Sequence, residues 1–188
     1  MRKRNQKLPP VLLVSDVDGT LMTKNYEIPS RNLTAIRRFQ KLGGFFALAT
    51  GRSEATAAPV LQKIEPNAPG IFLNGAVIGG AGFPVITENF LPEDIDRELL
   101  EFPKRFPKVG IEIFTRDGVS LLQENSYTSL HTQRSCVKPG RVSENGIPGK
   151  KCKLLFLGDT QEIEKVENFF RDEGLPQVHC FRSSAHYL

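Results

Sequence analysis

The stretch Val11–Thr23 reads VLLVSDVDGTLMT. Its short, wholly apolar start predicts a fully buried strand over Val11–Ser15. The run stops at two aspartates, Asp16 and Asp18, with Gly19-Thr20 behind them. The two carboxylates share one site if the chain turns directly after Asp16, and Gly19 permits that turn. Carboxylates held close repel unless a cation sits between them or one stays protonated. Both outcomes are chemically useful. A hard divalent ion such as Mg²⁺ suits oxygen ligands and pairs with substrate phosphate. A carboxylate can also attack phosphorus to give an aspartyl-phosphate. Its neighbour can then give a proton to the leaving oxygen and take one from water.

Downstream, the pattern of strand, helix and polar strand end repeats. Pro29-Ser30 opens a helix with Ser30 as its predicted N-cap, and Gly43-Gly44 stops it. Phe45–Ala49 is a second apolar strand ending in Thr50-Gly51-Arg52. A helix is expected from Glu54 to Ile64, kinked or started late by Pro59. Ile71–Leu73 is a third strand, ending in Asn74-Gly75. This alternation predicts an α/β fold with right-handed crossovers and a parallel, Rossmann-like sheet. Ligands bind such sheets beyond the carboxyl ends of the strands, so the three polar ends are expected to converge on one crevice. There Thr50 and the backbone N–H groups of Gly51 and of the turn at Val17 are placed to hold phosphate oxygens. Arg52 either touches substrate or pairs with a core acid. Asn74-Gly75 either borders the site or makes a plain hairpin turn.

Val77–Ile86, with Gly79-Gly80-Ala81-Gly82 in its middle, reads as a hairpin, after which the rhythm changes. Glu93–Phe106 is expected to be helical, ended or bent by Pro103. Val109–Thr115 and Val119–Gln123 flank Asp117-Gly118, a hairpin signal. A weaker helix covers Ser126–Gln133, and Lys138–Lys150 reads as a loop. Lys153–Leu157 is a strand, Gln161–Glu173 a helix, Val178–Arg182 a strand and Ala185–Leu188 the start of another. Asp159 with Glu162 predicts a capping box at the last helix. Phe102, Phe106, Phe169 and Phe170 are assigned to the core of this second, α+β module. His131, His179 and His186 read as surface or satisfied histidines. Lys150, Lys151 and Lys153 are taken as a solvated stretch, with contact to a phosphorylated substrate as the alternative. The expected domains are 1–88 and 89–188.

D-x-D-G-T-L after an apolar strand, A-T-G-R after the next and N-G after the third together resemble the haloacid dehalogenase superfamily of phosphohydrolases. The large module after the N-G strand resembles the α/β cap of its Cof-like subfamily. The resemblance covers essentially the whole chain from Val11. It implies that Asp16 is the nucleophile and a Mg²⁺ ligand. It implies that Asp18 is the general acid/base and binds Mg²⁺ through its backbone carbonyl. Thr50 and Gly51 would bind the phosphoryl group and Asn74 would lie near substrate, a small phosphorylated metabolite such as a sugar phosphate. Two elements of the family pattern are missing: a lysine and a G-D-x-x-N-D cluster, both normally placed after the cap. Gly158-Asp159 lacks the trailing N-D. The expectation is therefore the N-terminal half of a core plus an inserted cap, active by this mechanism. The alternative is a truncated, inert form that retains weak phosphate and metal binding. A phosphate-binding interaction module is a third reading.

Composition narrows the remaining classes. Hydrophobic residues make up 39% of the 188 and charged ones 24%, enough for a packed core. Of 25 Lys and Arg, four (Arg2, Lys3, Arg4 and Lys7) crowd the first seven residues; the other 21 match the 21 Asp and Glu. A neutral body argues against a nucleic-acid surface spread over the fold. The apolar run after the basic start is too short for a signal segment, and no stretch reaches the ~18 residues of a membrane span. Cys136, Cys152 and Cys180 form no C-x-x-C and read as reduced thiols of a cytoplasmic protein. An EF-hand starting at Asp16 would place Glu27 at position 12. It is rejected because Leu21 stands where the loop needs glycine.

Overall fold

The computed structural model describes residues 9–135, 137–142, 149–173 and 178–188. The basic residues Arg2, Lys3, Arg4 and Lys7, and Cys136, lie outside the described residues. The chain forms two compact units, Met1–Glu88 and Asn89–Leu188.

In the first unit, β1 (Leu12–Ser15) runs parallel to β2 (Phe45–Leu48), with Leu12 opposite Phe45 and Ser15 opposite Leu48. The crossover between them is α1 (Ser30–Lys41). Leu33, Ile36 and Phe39 recur every three residues along α1 and pack on a core of Val17, Leu21, Met22, Phe46, Leu48, Val60 and Ile64. Pro29 occupies the N-cap position, and Ser30 is the first helical residue with no capping bond of its own. At the other end the chain passes so close to α1 that a Cβ on Gly44 would lie 2.4 Å from the Phe39 ring.

The second crossover, α2 (Glu54–Ile64), is capped by Ser53, whose hydroxyl accepts from the Thr56 N–H at 3.2 Å. Pro59 lies inside α2 and neither delays nor ends it. The loop after α2 is stitched to β2 by Asn67, which accepts from the Phe46 N–H at 2.7 Å and donates to the Gly44 carbonyl at 3.0 Å. β3 (Gly70–Phe72) continues the parallel order through a bridge between Ala49 and Ile71. β4 (Val77–Gly80) and β5 (Phe83–Glu88) then add as an antiparallel meander. The Glu54 carboxylate holds its turn by accepting from the Ala81 N–H at 2.6 Å.

One expectation is overturned here. β1 is exposed: Leu12 is 58% and Leu13 49% accessible, and Val11 and Val14 are exposed as well. Among the described residues β1 pairs with β2 alone. A parallel strand is buried only when both edges and both faces are covered.

In the second unit a sheet in the order β8–β7–β6–β9 comprises β6 (Gly110–Thr115), β7 (Val119–Gln123), β8 (Gly140–Arg141) and β9 (Lys151–Leu157). The β6–β7 hairpin turns at Asp117-Gly118, where the Thr115 N–H bonds the Gly118 carbonyl at 3.0 Å. Helices α3 (Ile95–Arg105) and α5 (Thr160–Asp172) bury Leu99, Phe102, Ile163 and Val166 with Ile111, Ile113 and Phe156 of the sheet. Phe102 is the hub of this core, with ring centroids of Phe106, Phe156, Phe169 and Phe170 at 5.4–6.0 Å. Burying such a side chain contributes about 1.5–3 kcal/mol. Pro103 sits within the last turn of α3, and the helix runs on to Arg105.

Helix α4 (Ser126–Ser135) is capped by Asn125, whose Oδ1 accepts from the N–H groups of Tyr127 and Thr128, both at 3.0 Å. It lies so close to β6 that a Cβ on Gly110 would sit 2.4 Å from Thr128.

Three further expectations are corrected. Val178–Arg182 forms no strand, having no partner to pair with among the described residues. Leu188 instead exchanges backbone bonds with Phe156 at 2.9 and 3.0 Å. Asp159 stands at the N-cap position of α5, but its carboxylate accepts from the Tyr127 hydroxyl at 2.6 Å and not from the helix. Lys151 and Lys153 belong to β9: Lys151 bonds Asp96 at 2.7 Å and Lys153 lies over the Phe114 ring at 5.6 Å.

Candidate active site

β1 ends at Ser15, and its apolar register carries one residue past the aspartate, to Val17, which is fully buried. That side chain anchors the turn. The Val17 carbonyl accepts from the N–H groups of Leu21 at 3.1 Å and Met22 at 2.9 Å, so the chain folds back at once. Gly19 provides the positive φ of +80° that the reversal requires. Asp16 and Asp18 flank the buried Val17 and are both exposed. The Asp16 carboxylate makes no hydrogen bond or ion pair among the described residues.

The end of β2 is tied to both neighbours. Thr50 is buried; its N–H bonds the Ile71 carbonyl at 2.9 Å, and its carbonyl accepts from the Asn74 N–H at 3.2 Å. The Thr50 Oγ1 accepts from the Arg52 N–H at 3.2 Å, which leaves the hydroxyl proton free to donate elsewhere. The Arg52 carbonyl in turn accepts from the Leu73 N–H at 3.0 Å. These bonds clamp the Thr50-Gly51-Arg52 loop to a turn whose backbone is held in an uncommon region. Leu73 and Asn74 both have left-handed φ, +51° and +58°. Asn74 is exposed at this margin, within the hairpin turn from β3 to β4.

The first strand end joins them through a side chain. Arg52 reaches Asp18 with both arms of its fork, Nε to Oδ2 at 2.8 Å and Nη2 to Oδ1 at 2.6 Å. Its Nη1 donates to the Thr56 carbonyl at 3.3 Å. Of the two roles open to Arg52 in the sequence, the structure displays the pairing with an acid, and that acid is Asp18. Asp18, Arg52, Thr50 and Asn74, from three different strand ends, are thus joined by consecutive hydrogen bonds.

Among the described residues no group of three or more His, Cys, Asp or Glu is placed to hold a metal. The site offers two carboxylates, one of them without a partner among the described residues. That donor set fits a hard divalent cation that keeps water and takes its remaining oxygens from a phosphate. It does not fit a closed zinc centre.

The second unit holds a polar cluster that the sequence reading missed. Glu112 is 2% exposed, and its two oxygens lie 2.8 and 3.0 Å from His131 Nδ1. Lys153 stands on the same face of the sheet as Glu112; burial lowers its pKa, partly offset by the attraction of Glu112. The signal was a charge set inside the apolar run Gly110–Phe114, flanked by Ile111 and Ile113. At the margin of this unit, the hydrogen bond to Asp159 raises the Tyr127 pKa, with a lesser contribution from burial.

A family model described as haloacid dehalogenase-like hydrolase matches residues 13–188. A putative phosphatase of Haemophilus influenzae is 28% identical over 174 residues, covering 88% of this chain and 62% of that protein. The HMP-PP phosphatase of Escherichia coli O157:H7 is 23% identical over 181 residues, covering 92% of this chain and 64% of that protein. The chain thus spans just over three fifths of the length of each of these relatives. Among solved structures, a haloacid dehalogenase-like hydrolase from Bacteroides thetaiotaomicron superposes with a TM-score of 0.84. The two are 22% identical, and the match covers 95% of this chain and 70% of that one. At that identity the likeness establishes a shared fold. Among the described residues no helix is long and apolar enough to cross a membrane.

Proposed function

The chain belongs to the haloacid dehalogenase-like hydrolases, and from that premise we propose that it hydrolyses the phosphate monoester of a small metabolite, such as a sugar phosphate, through an aspartyl-phosphate on Asp16. The observation that carries this reading is the Asp16 carboxylate, unpaired among the described residues, beside three strand ends joined by hydrogen bonds. A nucleophile needs an unengaged lone pair.

In the first half-reaction an Asp16 oxygen attacks phosphorus in line, and the bond from phosphorus to the ester oxygen breaks. The Asp18 carboxyl gives its proton to that departing oxygen. In the second, Asp18 takes a proton from water, whose oxygen attacks the aspartyl-phosphate. Inorganic phosphate leaves and both carboxyl groups return to their starting states. Thr50 Oγ and the N–H groups of Gly51 and Val17 hold the phosphoryl oxygens, and Asn74 borders the leaving group. The Asp16 carboxylate and the Asp18 backbone carbonyl would hold Mg²⁺, which when bound would neutralise phosphoryl charge. Most of the acceleration in such reactions comes from positioning and charge neutralisation. In this reading the first unit carries the chemistry. The second corresponds to the α/β cap of the Cof-like subfamily.

The test is Mg²⁺-dependent hydrolysis of p-nitrophenyl phosphate by the purified chain, beside Asp16→Asn. Turnover that falls by about 10³-fold or more in the variant supports the mechanism. A second reading, a phosphate-binding but inert chain, is favoured by the presence of only two carboxylates at the described site. Equal background hydrolysis in both proteins selects it.

A further inference from the structure

The Arg52–Asp18 pair has a consequence for the order of events at the site. Both Asp18 oxygens are occupied by guanidinium N–H groups, at 2.8 and 2.6 Å. Yet the pair is not deeply locked: the Asp18 side chain is 47% exposed, against 19% for Arg52. An ion pair so open to water shifts an equilibrium by roughly fivefold or less. The guanidinium is also anchored independently of Asp18, through Nη1 on the Thr56 carbonyl at 3.3 Å. The Arg52 backbone N–H is bonded to Thr50 Oγ1 at 3.2 Å, so the residue belongs to the loop assigned to the phosphate. A planar fork favours a phosphate dianion over a single exposed carboxylate, because it meets two oxygens carrying more charge.

We propose that Arg52 is a two-position residue: it clamps Asp18 in the resting site, and an arriving phosphoryl group takes it over. The clamp on Asp18 is then released only when a phosphate is present. This rests on the phosphatase reading for its meaning, but its test measures binding and hydrogen bonding, not turnover.

The probe is inorganic phosphate, titrated into the arginine-¹⁵N-labelled chain in magnesium-containing buffer. The Arg52 Nε–H signal is assigned by its loss in Arg52→Lys. Without phosphate, the signal in the wild type should differ from that in Asp18→Asn, because only the wild type holds Nε on a carboxylate. At saturation the two spectra should coincide, since in both Arg52 rests on phosphate. Arg52→Met should weaken phosphate binding about tenfold, with circular dichroism confirming the fold. Saturated spectra that still differ would overturn the proposal. So would an Arg52 signal untouched by phosphate, an Arg52→Met variant binding as tightly as wild type, or no phosphate binding at all. Loss of hydrolysis alone, with the exchange intact, would sink the enzymatic reading and leave this one standing.

Discussion

Removing the imidazole from His131 tests whether the Glu112 charge is held by it. Glu112 is 2% exposed and accepts at 2.8 Å from His131, whose own side chain is 27% exposed. Removing the hydrogen-bond donor of a buried carboxylate costs about 3 kcal/mol or more, because an acceptor is left unsatisfied. Lys153 offsets part of this through its attraction to Glu112, which places His131→Ala near the lower end, about 3 kcal/mol. A unit of about 100 residues loses roughly 4–8 °C of melting temperature per kcal/mol. The second unit should therefore melt roughly 12–24 °C lower, read by circular dichroism at neutral pH. Glu112 stands opposite Leu121 and Leu155 in the sheet, so leucine suits the position. The double variant Glu112→Leu/His131→Ala removes the charge as well as its partner and should return to within about 5 °C of wild type. A single variant melting within about 3 °C of wild type would refute the argument, as would a double variant no better than the single.

Lys153 gives a pH test with a defined sign. Its folded pKa lies below the unfolded one, so the unfolded chain binds more protons in the window just below lysine's ordinary value. Stability from this group therefore rises as pH climbs through that window. The melting temperature of wild type minus that of Lys153→Met should increase on going from neutral to alkaline pH, and a flat difference would contradict the assignment. In the first unit, Asn67→Ala leaves the Phe46 N–H and the Gly44 carbonyl without their side-chain partner and should cost about 1–3 kcal/mol in urea unfolding. Leu12→Lys places a charge on the exposed β1 and should reduce concentration-dependent self-association in light scattering. Unchanged association would mean that the open strand is not the sticky surface.

The elements with strong local signals were legible in the sequence. The three polar strand ends, the Asp117-Gly118 hairpin and the Phe102 cluster appear where hydrophobic runs and turn residues put them. What escaped depends on partners distant along the chain. Val11–Val14 has the composition of a buried strand, but burial belongs to whatever lies beside it. Val178–Arg182 has strand propensity without a neighbour to pair with. Asp159 has the local pattern of a cap and is taken instead by Tyr127, 32 residues away. The same distance effect worked at the site. The two aspartates stand out in the sequence by themselves, yet the partner of Asp18, Arg52, became visible only through a contact spanning 34 residues.

The left-handed turn at Leu73 and Asn74 sets a conflict for selection. The exposed Asn74 at φ +58° carries a conformational cost that glycine would relieve, whereas Leu73 at +51° is held by its buried side chain. Screens for thermal tolerance would thus favour glycine at 74. The same change would slacken the turn that steadies Thr50 and Arg52 through the Asn74 and Leu73 amides. Robustness and a firmly held Thr50 loop should accordingly trade against each other at position 74.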